Sequence, residues 1–296
     1  MKKIAYIISA YTEPQALANL ISALQDESVD FYIHIDRKVN IAPFKDFVGF
    51  PNNVYWVPDD KRIKVYWGGY SQVNMQLEML AMVFENSCTY ERIVSLTGTD
   101  YPFYSNQKII ELMSDKSKEY IIGFDVMHEE GVGVEQKYPN LVKFTYFHYL
   151  DSPRLIHGFF ERIRLKRFIK PDRPMYYGSE YWGLTYECAK SIYISYREDI
   201  SLQRLLKHSF APSEAWVHTL FFNSEYASKS VAPLLTKEDG LTVLSPLTFF
   251  YYHNNVKPLT MDYFDQIVES KRPFIRKAIP GISDELLKKI NQLRSE

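Results

Sequence analysis

The first 125 residues switch repeatedly between short apolar runs and stretches with helical spacing, and few architectures accept that rhythm. Lys3–Ala10 (KIAYIISA) is too continuously apolar for a strand with one wet face, so it predicts a strand buried on both. Pro14 stands where a first helical turn would begin, and Ala16–Leu24 carries apolar residues at helical spacing. Val29–Ile35 (VDFYIHI) predicts a second strand and Val54–Val57 a short third. Ser71 predicts the N-cap of a helix running to about Glu85. Arg92–Leu96 reads as another buried strand, closed by a turn at Thr97-Gly98-Thr99-Asp100. A helix over Ser105 to Met113 and a strand over Glu119–Phe124 follow. The alternation predicts an α/β fold of Rossmann type, with a mostly parallel central sheet and helices on both faces.

Ligands of such sheets bind beyond the carboxyl ends of the strands. Here those ends carry Tyr11, Asp36, the Thr97–Asp100 turn and Asp125. Residues 126–176 break the rhythm. Within them Glu161–Pro174 (ERIRLKRFIKPDRP) has six basic residues against two acidic. Two readings fit this run: a solvated, partly helical excursion, or a flap that meets an anionic acceptor or a membrane surface through Arg162, Arg164, Lys166, Arg167 and Lys170. Order returns from Tyr176, with a Gly178–Leu184 segment, a helix over about Tyr186–Arg197, another from about Ala215, and an amphipathic helix near Ser283–Leu293.

Several function classes are disfavoured. A formal net charge of -1 gives no dominant basic field for nucleic acid. There is no GxxxxGK[ST] phosphate loop, no GxSxG elbow and no HExxH pair. Gly131-Val132-Gly133 starts like a dinucleotide fingerprint but lacks the third glycine. No Asp-x-Asp pair occurs, so a divalent metal held by such a pair is not expected. The apolar run at the N-terminus is too short for a secretory leader, Glu13 follows it, and no stretch reaches the roughly 20 apolar residues of a membrane span. Cys88 and Cys188 make neither a disulfide framework nor a CxxC pair, which points to a reducing compartment. Aromatic residues reach 16%, with 23 Tyr and 19 Phe. That content fits an aromatic-rich core with a partner surface, or faces that stack on sugar rings.

Four segments together resemble the core-2/I-branching and peptide xylosyltransferase family of glycosyltransferases. They are Ile4–Lys38 (IAYIISAYTEPQALANLISAL, then FYIHIDRK), Tyr66–Leu80 (YWGGYSQVNMQLEML) and Ile93–Gln107 (IVSLTGTDYPFYSNQ). The fourth runs from GSEYWGLT (Gly178–Thr185) through APSEAWVHTLFFNS (Ala211–Ser224) to LTMDYFDQIVESKRPFIRK (Leu259–Lys277). Order and spacing agree outside residues 126–176. The resemblance implies a GT-A-like single domain over 1–296: a nucleotide-binding half at 1–125, a variable acceptor or flap region at 126–176, and a catalytic and diphosphate-binding half at 177–296. It also implies a UDP-sugar donor, a glycan acceptor, inversion at the anomeric carbon and no required metal or other cofactor.

The residue types suit that chemistry. Inverting transfer is one displacement, so a carboxylate must take the acceptor's proton. Cations must meet the charge that develops on the departing diphosphate. The resemblance gives the first task to Glu214 and the second to Arg276 and Lys277, with Lys271 and Arg272 near enough in sequence to assist. Asp36 matches a position near uracil and ribose. Asp100 either contacts the donor or holds its turn. Glu180 is expected to orient sugar hydroxyls, Trp182 to stack or to pack, and Trp67 and Tyr252 to contact sugar or base or to fill the core.

Departures matter too. The family often has His where this chain has Tyr11, and its animal members are luminal, anchored and disulfide-bonded. The chain is therefore expected to be a bacterial-type enzyme of surface polysaccharide, capsule or lipid-linked oligosaccharide assembly. It would be cytoplasmic, with the basic run as the candidate for peripheral contact at the inner face of the membrane. The donor expected first is UDP-N-acetylglucosamine, then UDP-xylose, then other UDP-hexoses. Two rival readings are a non-catalytic glycan-binding module on a degenerate transferase fold, and a metal-dependent transferase of a neighbouring class.

Overall fold

A computed structural model describes residues 2–126, 169–234 and 244–295. Strands β1 (Lys2–Ala10), β2 (Val29–Ile35), β3 (Val54–Trp56) and β4 (Tyr90–Thr97) lie parallel in the order β3-β2-β1-β4. Helices α1 (Pro14–Leu24), α2 (Ala42–Val48) and α3 (Ser71–Glu85) connect them. Successive side chains of a strand face opposite ways, and β1 divides accordingly. Ile4, Tyr6, Ile8 and Ala10 pack with Leu17, Leu20 and Ile21 of α1 and Phe44 of α2. Ala5 and Ile7 pack with Val73, Leu80 and Val83 of α3. Two cores on one sheet are why these strands are apolar throughout.

The chain continues through β5 (Asp100–Pro102), α4 (Asn106–Met113), β6 (Gly123–Asp125), β7 (Tyr176–Gly178) and β8 (Gly183–Thr185). The central sheet gains β8 as its fifth strand, antiparallel to β4. The strand expected over Glu119–Phe124 is therefore displaced. Glu119 is buried, and its carboxylate accepts the Thr185 backbone N–H at 2.7 Å and the Thr185 hydroxyl at 2.5 Å. Regular pairing begins only at Gly123, against β7 and outside the central sheet. Asp125 thus ends a strand of a separate hairpin and leaves the row of polar residues at the central sheet's carboxyl edge.

Beyond β8 come α5 (Tyr186–Glu198), α6 (Ile200–Lys207), a 3-10 turn at Pro212–Glu214 and α7 (Trp216–Phe222). Neither α2 nor α6 was evident from spacing: each is short, and α2 buries Phe44 alone. Strands β9 (Thr248–Phe250), β10 (Tyr252–His253) and β11 (Asn255–Val256) precede α8 (Phe264–Ser270), β12 (Phe274–Arg276) and α9 (Asp284–Ser295). A second sheet has the order β5-β12-β9, with β12 antiparallel to β5 and parallel to β9. A third core supports it, joining Tyr101 and Ile275 to Ile267 of α8 and Leu286, Leu287 and Ile290 of α9. Its register sets Arg276 opposite Asp100, just past the carboxyl end of β4. That pairing delivers the basic Arg276-Lys277 step to the edge where a Rossmann-type sheet binds ligands. Among the described residues no helix is long and apolar enough to cross a membrane.

Candidate functional site

Asp100 opens β5 and is fully buried. Its carboxylate accepts the Thr97 backbone N–H and the Thr97 hydroxyl, each at 2.9 Å, and pairs with Arg276 Nη1 at 3.3 Å. Burial pushes the Asp100 carboxyl up to about 6, against the pull of Arg276 and of the two Thr97 donors. The Arg276 side chain is 15% exposed, and its guanidinium carbon lies 5.4 Å from the centre of the Tyr181 ring. Arg276 Nε is buried with no partner among the described residues. Lys277 is half-buried, and the Arg276 charge joins desolvation in lowering its ammonium. Its backbone is fixed on both sides: the N–H donates to Lys257 O at 3.4 Å, and the carbonyl accepts from Leu259 N at 2.9 Å.

Glu180 precedes Tyr181 in the chain and lies within reach of the Arg276 charge. Glu180 is pushed up by burial, while Arg276 holds it down. The fully buried Ser213 hydroxyl lies beside it, outside good hydrogen-bond geometry. Glu180 Oε1 accepts from Gln72 Nε2 at 3.3 Å. Glu214 follows Ser213 at the end of the 3-10 turn, which leads into α7. Ala211 enters that turn with a left-handed backbone (φ 45), a conformation that costs about 1 kcal/mol or more and persists where surroundings impose it. Its N–H donates to Gly68 O at 2.9 Å, so the Trp-Gly-Gly loop grips the segment carrying Glu214. Gly68 is required there: its φ is +73, and a Cβ would come within 2.8 Å of the Phe210 ring. Two buried polar atoms without a hydrogen-bond partner among the described residues, Ser213 Oγ and Arg276 Nε, each lie near Glu180 and suit a site whose partners arrive with a ligand.

Asp36 lies at the end of β2, as expected, but its carboxylate is partly engaged. Oδ1 accepts Lys38 N at 2.9 Å and Val65 N at 3.3 Å, and Oδ2 is 3.4 Å from Lys38 Nζ. Arg62 donates to the carbonyls of Ile35, at 2.9 Å, and of Asp36, also at 2.9 Å. Two aromatic rings are exposed, Tyr11 at 60% and Trp67 at 70%, the latter edge-on to Phe210 at 5.4 Å. Trp67 is thus available to a ligand rather than spent on the core.

The structure decides between the two readings of Trp182 and corrects the expectation for Lys271 and Arg272. Trp182 is 1% exposed and belongs to the core, so its ring packs and does not face a sugar. Neighbours along an extended segment face opposite sides, and Tyr181 is the one that meets Arg276. Lys271 and Arg272 precede β12 and Arg276 ends it, so they lie at the strand's other end. Arg272 Nη1 donates to Thr248 O at 3.4 Å there, and Lys271 is an exposed left-handed C-cap (φ 54) of α8. Tyr252 stands on the β10–β11 hairpin that follows β9 past Arg276, with its hydroxyl donating to Asn254 O at 3.2 Å. Sequence reasoning did not single out Tyr181 or Gln72, because neither residue type signals its role without the contact.

Of the basic run, Arg162, Arg164, Lys166 and Arg167 lie outside the described residues, while Lys170 is exposed. Among the described residues no three His, Cys, Asp or Glu side chains gather as a metal site.

A model of the family described as "Core-2/I-Branching enzyme" matches residues 4–236. The match spans Asp36, Asp100, Glu180 and Glu214 and stops short of Arg276. Xylosyltransferase 2 of Rattus norvegicus is 25% identical over 230 residues, covering 75% of this chain and 25% of that protein. The human probable beta-1,3-galactosyl-O-glycosyl-glycoprotein beta-1,6-N-acetylglucosaminyltransferase 7 is 24% identical over 119 residues, 38% of this chain and 26% of that one. The chain thus spans about a quarter of the length of these curated relatives. Among solved structures, 4-diphosphocytidyl-2C-methyl-D-erythritol synthase of Anaerococcus prevotii DSM 20548 overlaps 67% of this chain and 76% of its own at 14% identity, but a TM-score of 0.34 is too low to add to the fold assignment. With its model matched over most of the chain, the protein belongs to the core-2/I-branching enzyme family of glycosyltransferases.

Proposed function

We propose that the protein transfers a sugar from a UDP-sugar to a glycan hydroxyl, with inversion and without a metal. The observation that carries this reading is the pairing of Arg276 with buried Asp100 at the sheet's carboxyl edge, with Glu180 within reach of the Arg276 charge and Glu214 in the turn that carries Ser213. Asp100 and Tyr181 hold the guanidinium, and Lys277 follows it directly. A diphosphate seated against these two cations would be neutralised as it leaves, by a forked contact from Arg276 and a point charge from Lys277. Glu214 is the base: it takes the proton of the acceptor hydroxyl as that oxygen attacks the anomeric carbon and the bond to the diphosphate breaks. Attack and departure on opposite faces invert the configuration. Glu180 and Trp67 serve the sugar side, Asp36 the nucleoside, and Tyr252 is a candidate contact to sugar or base.

N-acetylglucosamine is the first donor to test and xylose the second, followed by other UDP-hexoses. The acceptor is a growing oligosaccharide, free or lipid-linked, in bacterial surface polysaccharide synthesis. The setting is cytoplasmic, with the basic run against the inner face of the membrane. The free thiols of Cys88 and Cys188 are in keeping with a reducing compartment. The deciding experiment is a titration with UDP, UDP-N-acetylglucosamine and UDP-xylose in excess EDTA. Binding of UDP under those conditions supports the reading. If no nucleotide binds with or without metal, the donor assignment is wrong.

A further inference from the structure

Gln72 occupies the first turn of α3, directly after the Trp-Gly-Gly loop. Its side chain makes two bonds of opposite sense: Oε1 accepts the Gly68 backbone N–H at 2.6 Å, and Nε2 donates to Glu180 Oε1 at 3.3 Å. The amide cannot be turned round, because the peptide N–H requires an acceptor and the carboxylate a donor. Gly68 is held in turn by Ala211 N–H at 2.9 Å, and Trp67 meets Phe210 edge-on. Gln72 therefore ties three segments together: the exposed Trp67 ring, the Glu180 carboxylate and the segment leading to Glu214.

We propose that Gln72 is a positioning residue that fixes the Glu180 carboxylate and the Trp67 loop in one rigid relation on the sugar side of the site. The sugar-side role rests on the function proposed above; the contact itself does not. Glu180 is faced by Gln72 from α3, by Ser213 from the 3-10 turn and by the Arg276 charge from β12. Burial already favours its protonated form. Removing the amide donor therefore shifts its titration upward, and a carboxylate at position 72 shifts it further, since two carboxyls so close share a proton.

The test uses the full chain labelled with carbon-13 at the glutamate side-chain carboxyls, with the Glu180 signal identified by its loss in E180Q. Its titration midpoint is compared in the wild-type protein, Q72M and Q72E. Q72E keeps an acceptor for Gly68 N–H, so the loop stays in place even where Q72M disturbs it. The expected result is a clear rise in Q72E and a smaller rise in Q72M. UDP affinity measured in EDTA on the same samples stays at the wild-type value in both variants. A Glu180 midpoint unchanged in both variants, or a loss of UDP binding equal in both, overturns the positioning role. A wild-type chain that binds no UDP overturns the donor reading instead, and leaves the Glu180 titration to decide the role of Gln72.

Discussion

Arg276 and Lys277 are adjacent in sequence yet differ in what the fold does with them. Arg276 is held between Asp100 and the Tyr181 ring, whereas the Lys277 ammonium has no ion-pair partner among the described residues. A cation partly stripped of water and left without a counter-ion is poised for an incoming anion, and burial beside Arg276 already lowers its ammonium. Replacing Lys277 with alanine therefore removes one charge-assisted contact of about 1.5–3 kcal/mol, which is about 10- to 100-fold in Kd. Calorimetric titration with UDP in EDTA checks this, and an unaltered Kd would remove Lys277 from the site. Glu214→Gln acts on the other half of the reaction. The amide keeps size and polarity but cannot take a proton, so turnover is expected to fall about 10²- to 10⁴-fold while UDP still binds. Steady-state rates and UDP affinity measured side by side separate the two effects.

Among the elements, the antiparallel pair of β6 and β7 packs very closely against α7. Gly178 ends β7, and a Cβ there would lie 2.2 Å from His218 Nε2 and 2.3 Å from the Ile122 carbonyl oxygen. His218 belongs to α7, the helix that follows Glu214, and is itself fully buried. Gly178→Ala must push that helix or the hairpin apart, at an expected cost of about 3 kcal/mol or more. Its urea midpoint should drop accordingly, and a midpoint within error of the wild type would mean that the joint is soft. The four parallel strands were legible beforehand because each is a self-contained apolar run with a polar stop. The cleft was legible only in part. Asp100 and Arg276 are joined across 176 positions, and Gln72 and Glu180 across 108, so no local pattern announces either contact. Tyr181 and Trp182 show how narrow the margin is: a step of one residue exchanges a core face for a site face.

On the scale of the whole molecule, buried titratable groups oppose one another as pH changes. His34 and His218 are kept neutral by desolvation, with values lowered to about 4 and about 3. Once unfolded they titrate near 6.5, so between pH 4 and 6.5 the unfolded chain binds more protons at both sites, and acid removes stability. Asp100 has the reverse sign. It is raised to about 6 in the fold and titrates near 3.9 when unfolded, so in the window from about 4 to 6 the native state holds the extra proton. Buried Glu119 and Glu180 are raised as well and act in the same direction as Asp100. The wild-type stability curve is therefore flatter than any one group would make it, and single substitutions should tilt it oppositely. Relative to His34→Gln, whose side-chain oxygen can still accept the Ile63 N–H, the wild-type protein loses about 1 kcal/mol per pH unit on acidification from 6 to 4.5. Relative to Asp100→Asn it gains by about the same slope over that interval. Urea unfolding at stepped pH measures both gaps, and two gaps moving in the same direction would refute the assignment of opposing groups.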